Sequence, residues 1–468
     1  MIQYCRILSN HLTQGAYMLL TKDKDFYRTF WRLFFMIVLQ NAIVLSVNLA
    51  DNLMIGGYSE TALSGVAAVN SLQFLFQQLT IGIGDALVTM GSQYWGQGRT
   101  APIKQIGKAA LFAGALLGLA LFLLTSLFPY QIVGLFSDSA EIVEQGVQYL
   151  RIVRWTYLLF GISSTLLSLL RTVEIVRIST IVSAVALVTN CSINYLLIEG
   201  NLGAPELGVR GAAIGTLISR ALELCIILVY YVWIDKRLRV RVDDLIQTDF
   251  SLVRDYFKHC LYFVMVSLIF GSSVALQNVI LGNLSDSAIA ANSIASTLFQ
   301  LLKVMAVGAA SATAIIIGKT VGKGDMDKLR EYVRTFQCIF LCISLVTGVM
   351  LFILRSFILN FYDLSPETYA MAKNFLLVLC ITGMGTAYQM PVNIGIIRGG
   401  GDSRFVFIND LISIWGIVLP LSFLGAFVFH WDPTIVLFCL NSDQLFKCVA
   451  AAIKANRYKW VKKLTRET

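Results

Sequence analysis

The chain has 468 residues, of which 57% are hydrophobic and only 14% charged, too few polar groups to keep a globule of this length in water. This excludes a soluble enzyme, a disordered scaffold and a nucleic-acid-binding domain as the main reading. The net charge of +9 marks no acidic partner by itself, because membrane proteins gather basic residues on one side.

The first 29 residues are too polar and irregular for a signal peptide. Apolar runs then predict twelve spans, at 30–55, 65–93, 108–128, 146–170, 177–198, 210–233, 258–281, 290–318, 334–354, 371–397, 404–428 and 433–455. Each approaches or exceeds the roughly 20 residues that cross a bilayer as helix. None alternates as a barrel strand does, and only helices or closed barrels satisfy the backbone in lipid. Most of the 37 Lys and Arg fall in the amino-terminal segment, in alternate loops and in the carboxyl tail. The other loop centres hold none, and carry acids such as Glu60, Asp138, Glu141, Glu199, Glu206, Asp286, Asp363 and Glu367. The positive-inside rule therefore places both termini in the cytoplasm, which requires an even number of crossings. The nine cysteines form no CxxC pair, fall mostly in apolar runs and read as small buried hydrophobes.

The chain is written twice. Asn52-Leu53-Met54-Ile55-Gly56 returns 226 residues later as Asn278-Val279-Ile280-Leu281-Gly282. Without a gap, Ser59-Glu60 meets Ser285-Asp286, Gly82 meets Gly308, Gly96-Gln97-Gly98 meets Gly322-Lys323-Gly324, and Glu141 meets Glu367. After a one-residue slip, Arg171 and Arg177 meet Arg398 and Arg404. The predicted fold is thus an all-α polytopic membrane protein, with twelve transmembrane helices in two six-helix bundles related by a parallel internal repeat. Its parts are a cytoplasmic amino-terminal segment (1–29), a first lobe (30–233), a cytoplasmic linker (234–257), a second lobe (258–455) and a cytoplasmic tail (456–468). Two lobes around a midplane site suit alternating access. The plainer alternative is a duplicated, rigid channel or receptor.

Several stretches resemble the multidrug and toxic compound extrusion (MATE) transporters. They are Asn48-Leu49-Ala50-Asp51-Asn52-Leu53-Met54-Ile55-Gly56 ending the first span, Gln93-Tyr94-Trp95-Gly96-Gln97-Gly98 and Gly318-Lys319-Thr320-Val321-Gly322-Lys323-Gly324 closing the second and eighth, and Leu207-Gly208-Val209-Arg210-Gly211-Ala212-Ala213-Ile214-Gly215-Thr216 opening the sixth. The resemblance covers about residues 30 to 460. It implies efflux of organic, often cationic compounds driven by inward protons or sodium. The lipid-linked oligosaccharide flippases of the same larger group are the nearest alternative.

An ionisable side chain inside a membrane is costly and is a functional candidate by default. The acids within the predicted spans are Asp51, Asp85, Glu223, Asp410 and Asp443. Asp443 has Lys447 at i+4, and Glu223 has Arg220 three residues before it, so both read as helix-bracing pairs. Asp85 and Asp410 fall near span ends, where capping or snorkelling accounts for them. Asp51 has no basic neighbour in sequence and lies among Asn48 and Asn52. Asn190 and Asn194, one helical turn apart in the fifth span, lie at comparable depth. Two amides and a carboxylate at one level can hold a proton or a small hard cation. The resemblance implies that an acid at the position of Asp51 couples transport, with Thr216 completing the pocket. Where some members carry a second acid, this chain has Asn194; its first span lacks their proline and its seventh carries no acid. With Asn194 there, one titratable group serves alone; without the proline, no proline kink is expected in the first span; and the acid-free seventh span favours a first-lobe site and leans toward protons.

Gln77 and Lys303 share a repeat position, and with Tyr388 and Met390 they are the candidate cavity-lining residues. A mid-span lysine repels cationic cargo, attracts anionic cargo, or pairs with Asp410. Gly383, Gly385 and Pro391 make the tenth span the candidate hinge. Gly318-Lys319-Thr320 has the ending of a phosphate-binding loop without its upstream glycine. No catalytic constellation or metal-ligand spacing is found. The expected ligands are therefore H+ or Na+ as coupling ion, a small organic substrate and the lipid bilayer. Neither a cofactor nor a nucleic acid is expected, and the protein is expected to be a monomer in the inner (plasma) membrane.

Overall fold

A computed structural model describes residues 20–238, 249–360 and 364–466. Parts of the predicted amino-terminal segment and linker, the last two tail residues, Cys5, His11 and Asp363 lie outside them. Twelve helices long and apolar enough to cross a membrane occur among the described residues, and no strand does. They are α1 (Lys24–Tyr58), α2 (Glu60–Gly96), α3 (Thr100–Leu127), α4 (Ala140–Thr172), α5 (Arg177–Leu197) and α6 (Val209–Ile234), followed by α7 (Phe250–Gly282), α8 (Ser287–Lys323), α9 (Met326–Phe357), α10 (Pro366–Arg398), α11 (Ser403–Phe427) and α12 (Pro433–Asn456). Each holds one predicted span, the third, fifth and eleventh spans running one residue past the helix end. Most run past it at one end or both, because polar residues beyond the hydrocarbon continue the hydrogen-bonded ladder.

The repeated loop residues do the same local work twice. Ser59 and Ser285 cap α2 and α8, their hydroxyls accepting from the amides of Ala62 and Ala288 at 3.3 and 3.1 Å. Gly98 and Gly324 both adopt left-handed backbone, with φ of 73° and 76°, where a side chain would be strained. Gly82 and Gly308 are close-approach points. A methyl group on Gly82 would press on Phe263 and Val264 of α7, and one on Gly308 would overlap Val38 of α1.

The chain forms two compact units, one of Leu39–Gly271 and one of the residues up to Val38 with those from Ser272 onward. The division falls inside α1 and α7 rather than in loops. In the first unit, a core of Ile55, Val66, Phe76, Tyr149, Tyr157 and Val209 is buried. Lipid is as apolar as leucine, so helices in it associate through close packing of small residues. Gly114 of α3 and Gly161 of α4 accordingly meet backbone to backbone. Large apolar side chains such as Leu53, Phe112, Leu116 and Val188 are exposed. In the second unit, the start of α1 is held against α9: Phe26 and Phe30 pack on Phe336, and the Tyr332 hydroxyl donates to Asp23 at 2.6 Å.

The described cysteines are all free. Contrary to the expectation of burial, Cys225 and Cys342 are exposed and Cys191, Cys338 and Cys448 are half-buried.

The tail also differs from a plain appendage. Trp460 is fully buried and donates its ring N–H to the Ala455 carbonyl at 2.8 Å. Lys462 donates its amide to the Gly400 carbonyl at 2.9 Å. The tail is thereby held on the turn between α10 and α11.

Candidate functional site

Asp51 lies seven residues before the end of α1, and Asn190 and Asn194 lie seven and three before the end of α5. Thr216 and Tyr149 lie seven and nine residues after the starts of α6 and α4. At about 1.5 Å per residue, all five stand within three turns of the helix ends on the same side. Four helices thus converge on one level.

Asn194 is the centre of the cluster. Its amide nitrogen donates to Asp51 Oδ1 at 2.6 Å and to Asn190 Oδ1 at 3.3 Å. Both asparagines are fully buried, and Asn190 also interacts with the Asp51 carboxylate. Thr216 donates to the Ala212 carbonyl at 3.0 Å and interacts with Tyr149, a buried residue of α4. Asn194 Oδ1 is buried with no partner among the described residues.

Arg220 adds a charge to the same place. It pairs with Glu223 at 2.7 Å, lies over the Phe160 ring at 4.8 Å, and its charge acts on Asp51. Glu223 also accepts from the Ser163 hydroxyl at 3.2 Å. The expected bracing pair is therefore present, but it stands beside the carboxylate instead of apart from it.

The donors present suit a proton. An amide N–H faces the carboxylate, so the ionised acid is hydrogen-bonded, and a proton on it leaves both amides with other partners. A sodium ion needs oxygen ligands, which requires the Asn194 amide to turn its oxygen toward Asp51. Tyr149 and Arg220 are the members that sequence reasoning did not place here. An aromatic residue within a span reads as packing, and Arg220 already had Glu223 as a partner. For Tyr149 the distance from its helix end, nine residues against seven for Asp51, was the available signal; Arg220 lies eleven residues in, a turn deeper than Asp51.

The remaining candidates do not join this cluster. Gln77 is half-buried in the same unit, whereas Lys303, Tyr388 and Met390 belong to the other. Tyr388 donates to Gln337 at 3.2 Å, and Gln337 in turn bonds Asn456. Lys303 of α8 acts on Asp443. Asp410 is no solvated interfacial acid: Lys447 binds it at 2.8 Å and Asp443 at 2.9 Å. Asp85 similarly has the charge of Arg171 beside it.

In α10, Gly383 lies against Phe299 and Gly385 against the Gln444 backbone, so both serve close packing. Regular helix gives way at Pro391, and residues Pro391–Arg398 are π-helical. Proline and π-turns are recognised causes of helix kinks.

Fold and site together define a duplicated multi-pass membrane protein with an intramembrane carboxylate–amide cluster. The family model described as MatE matches residues 37–196 and again 263–424, two stretches that begin at the repeat offset, and the chain belongs to that family. The probable multidrug resistance protein NorM of Photorhabdus laumondii is 26% identical over 84% of this chain and 86% of its own length. The protein of that name from Thermotoga maritima is 24% identical over 92% of each. A mutant of the MATE transporter VcmN from Vibrio cholerae superposes with a TM-score of 0.85 at 16% identity, covering 94% of this chain and 98% of its own. A MOP superfamily transporter from Pyrococcus furiosus, described as having a binding pocket of reverse polarity that suggests a different function, gives 0.83 at 16% identity, covering 96% and 100%.

Proposed function

We propose that the protein is a secondary antiporter that exports organic, cationic or amphipathic compounds in exchange for protons or sodium. It works by alternating access as a monomer in the inner (plasma) membrane, with both termini cytoplasmic. One observation carries this reading: Asp51, a carboxylate within a membrane helix, is held by the buried amide of Asn194 at 2.6 Å. Neutralising such a group changes the energetic cost of its surroundings, so the loaded and unloaded forms favour different conformations. Asp51 is the exchanging group, Asn190 and Asn194 fix its position, and Thr216 with Tyr149 closes the cluster. The names of the relatives, multidrug resistance proteins, support drug-like cargo.

The test is ethidium efflux from proteoliposomes under imposed proton or sodium gradients. The wild type is expected to extrude ethidium under at least one gradient, and Asp51→Asn under neither. Gradient-driven flux that survives in Asp51→Asn removes Asp51 from the role.

A second reading, a flippase for lipid-linked oligosaccharides, is favoured by the basic Lys303 within a membrane helix of the second half. It predicts movement of a lipid-linked sugar, and no movement of ethidium under any gradient.

A further inference from the structure

The first unit carries a groove that the reading above does not use. It holds about 330 Å³ and is lined by Leu79 and Ile83 of α2, by Phe112 and Leu116 among others of α3, and by Phe257 and Val264 of α7, with no polar side chain in its lining. Phe112, Leu116 and Phe257 are exposed, so the groove opens on the surface of the unit.

The packing of α7 explains why a space is left there. The Tyr256 hydroxyl donates to the Ile83 carbonyl at 3.0 Å, and Gly82 admits the backbone of Phe263 and Val264, so α7 is drawn against α2. With α3 it makes a polar contact just before its first turn, where the Asp249 amide donates to the Gln105 side chain at 3.4 Å. Beyond that contact α3 presents the small Ala113 and Ala120 to the groove, and they do not fill it. Water needs two or more polar partners to settle in such a space, and this lining has no polar side chain to offer. An apolar chain suits it.

The end of the groove near Gln105 and Asp249 is basic. Lys108 stands four residues before Phe112, and Arg254 three before Phe257, the spacings at which side chains are neighbours on a helix surface. Each of the two facing walls therefore has a cation beside its lining phenylalanine. Arg254 and Lys258 are exposed, and Lys104 and Lys108 are half-buried. The acids nearby in sequence are Asp249, which accepts from the Ser251 amide at 2.9 Å, and Asp255, which is half-buried. Four cations thus stand against two acids over the starts of α3 and α7. Basic residues collect on the cytoplasmic side, and the cytoplasmic leaflet is the one that carries anionic lipid.

We propose that this groove is a binding site for an anionic phospholipid, with an acyl chain between α2, α3 and α7 and the phosphate against Lys108 and Arg254. The site goes beyond the antiporter reading and does not depend on it. Apolar lining selects a chain, and the paired cations select the charge of the headgroup.

Photolabelling of the full-length protein in detergent micelles, with phosphatidylglycerol carrying a diazirine in one acyl chain, tests this without requiring transport. Peptide mapping is expected to place the label on residues 112–120 and 257–264. Unlabelled phosphatidylglycerol should reduce that labelling several-fold, and phosphatidylcholine of the same chains should not. Lys108→Gln/Arg254→Gln should also lower it several-fold, and so should Ala113→Phe, which fills the groove and leaves the charges in place. Gel filtration confirms that each variant is folded before it is compared. Label that falls elsewhere, equal competition by phosphatidylcholine, or unchanged labelling in the folded charge variant overturns the proposal. Competition by free glycerol phosphate would mean that the headgroup binds without the groove, and competition by ethidium would make the groove a cargo site. Either result overturns it as well.

Discussion

Gly215 of α6 lies directly against the Oδ1 atom of Asn194 on α5, and a methyl group built on Gly215 would overlap that atom. The same asparagine holds Asp51 with its amide nitrogen. The absence of a side chain on α6 therefore sets the position of a carboxylate on α1. Gly215→Ala is expected to push the Asn194 amide away from Asp51 and to cost about 2 kcal/mol of stability, as overpacking does. Coupled flux should fall further than the loss of folded protein explains. Thermal unfolding in detergent, with ethidium flux scaled to folded protein, separates the two. Flux that falls only in proportion to folded protein denies Gly215 this positioning role.

Arg220 and Glu223 form a pair with Glu223 buried and a third partner in Ser163. Removing the cation alone leaves an uncompensated carboxylate inside the bundle. Arg220→Met is therefore expected to destabilise the protein by about 3 kcal/mol. Arg220→Met/Glu223→Gln should recover most of that loss, since no buried charge is then unpaired. A double-mutant cycle on denaturation midpoints measures the coupling. If the two single losses simply add, the pair does not act as a unit.

The helices were legible because each crossing must supply an apolar run, and the loops between runs carry charge or glycine. The repeat was legible in Ser59 and Ser285, and in Gly98 and Gly324, because capping and left-handed turns demand particular residues. Asp51, Asn190 and Asn194 were legible as a group, since one helical turn and equal depth are both properties of spacing. Contacts between distant helices were not. Nothing in the spacing of Asp410 and Lys447, 37 positions apart, says that their side chains meet. Tyr149 was hidden by its type, as most aromatic residues within a span only pack. The folded tail was hidden by composition, because one tryptophan among basic residues gives no periodic signal.

Trp460 fills a space that exists only because position 400 is glycine. A methyl group built on Gly400 would overlap the Trp460 ring. Trp460→Ala is expected to cost about 4 kcal/mol, the usual range for deleting a buried aromatic. Gly400→Ala should release the tail while leaving Trp460 in the chain. Limited proteolysis after Lys459, Lys462 or Lys463 reports that release: slow in the wild type and rapid in both variants. Equal cleavage rates in all three mean that Trp460 does not anchor the tail.

Asp402, in the turn between α10 and α11, is buried and accepts from Lys454 and Lys462, each at 2.8 Å. Burial alone pushes its carboxyl up, but the two ammonium groups outweigh it and hold the group below the ordinary aspartate range. A folded-state value below the unfolded one contributes stability above the unfolded value, about 3.9 for aspartate, and loses it as pH falls through the folded value. Asp402→Asn should therefore be less stable than the wild type near neutral pH. The gap should close on acidification through the carboxylate range, as the wild type takes up the proton that the variant never needed. Denaturation midpoints of both proteins across that range supply the comparison. A gap that stays constant to the lowest pH assigns the loss to packing of the turn instead of to the charge of Asp402.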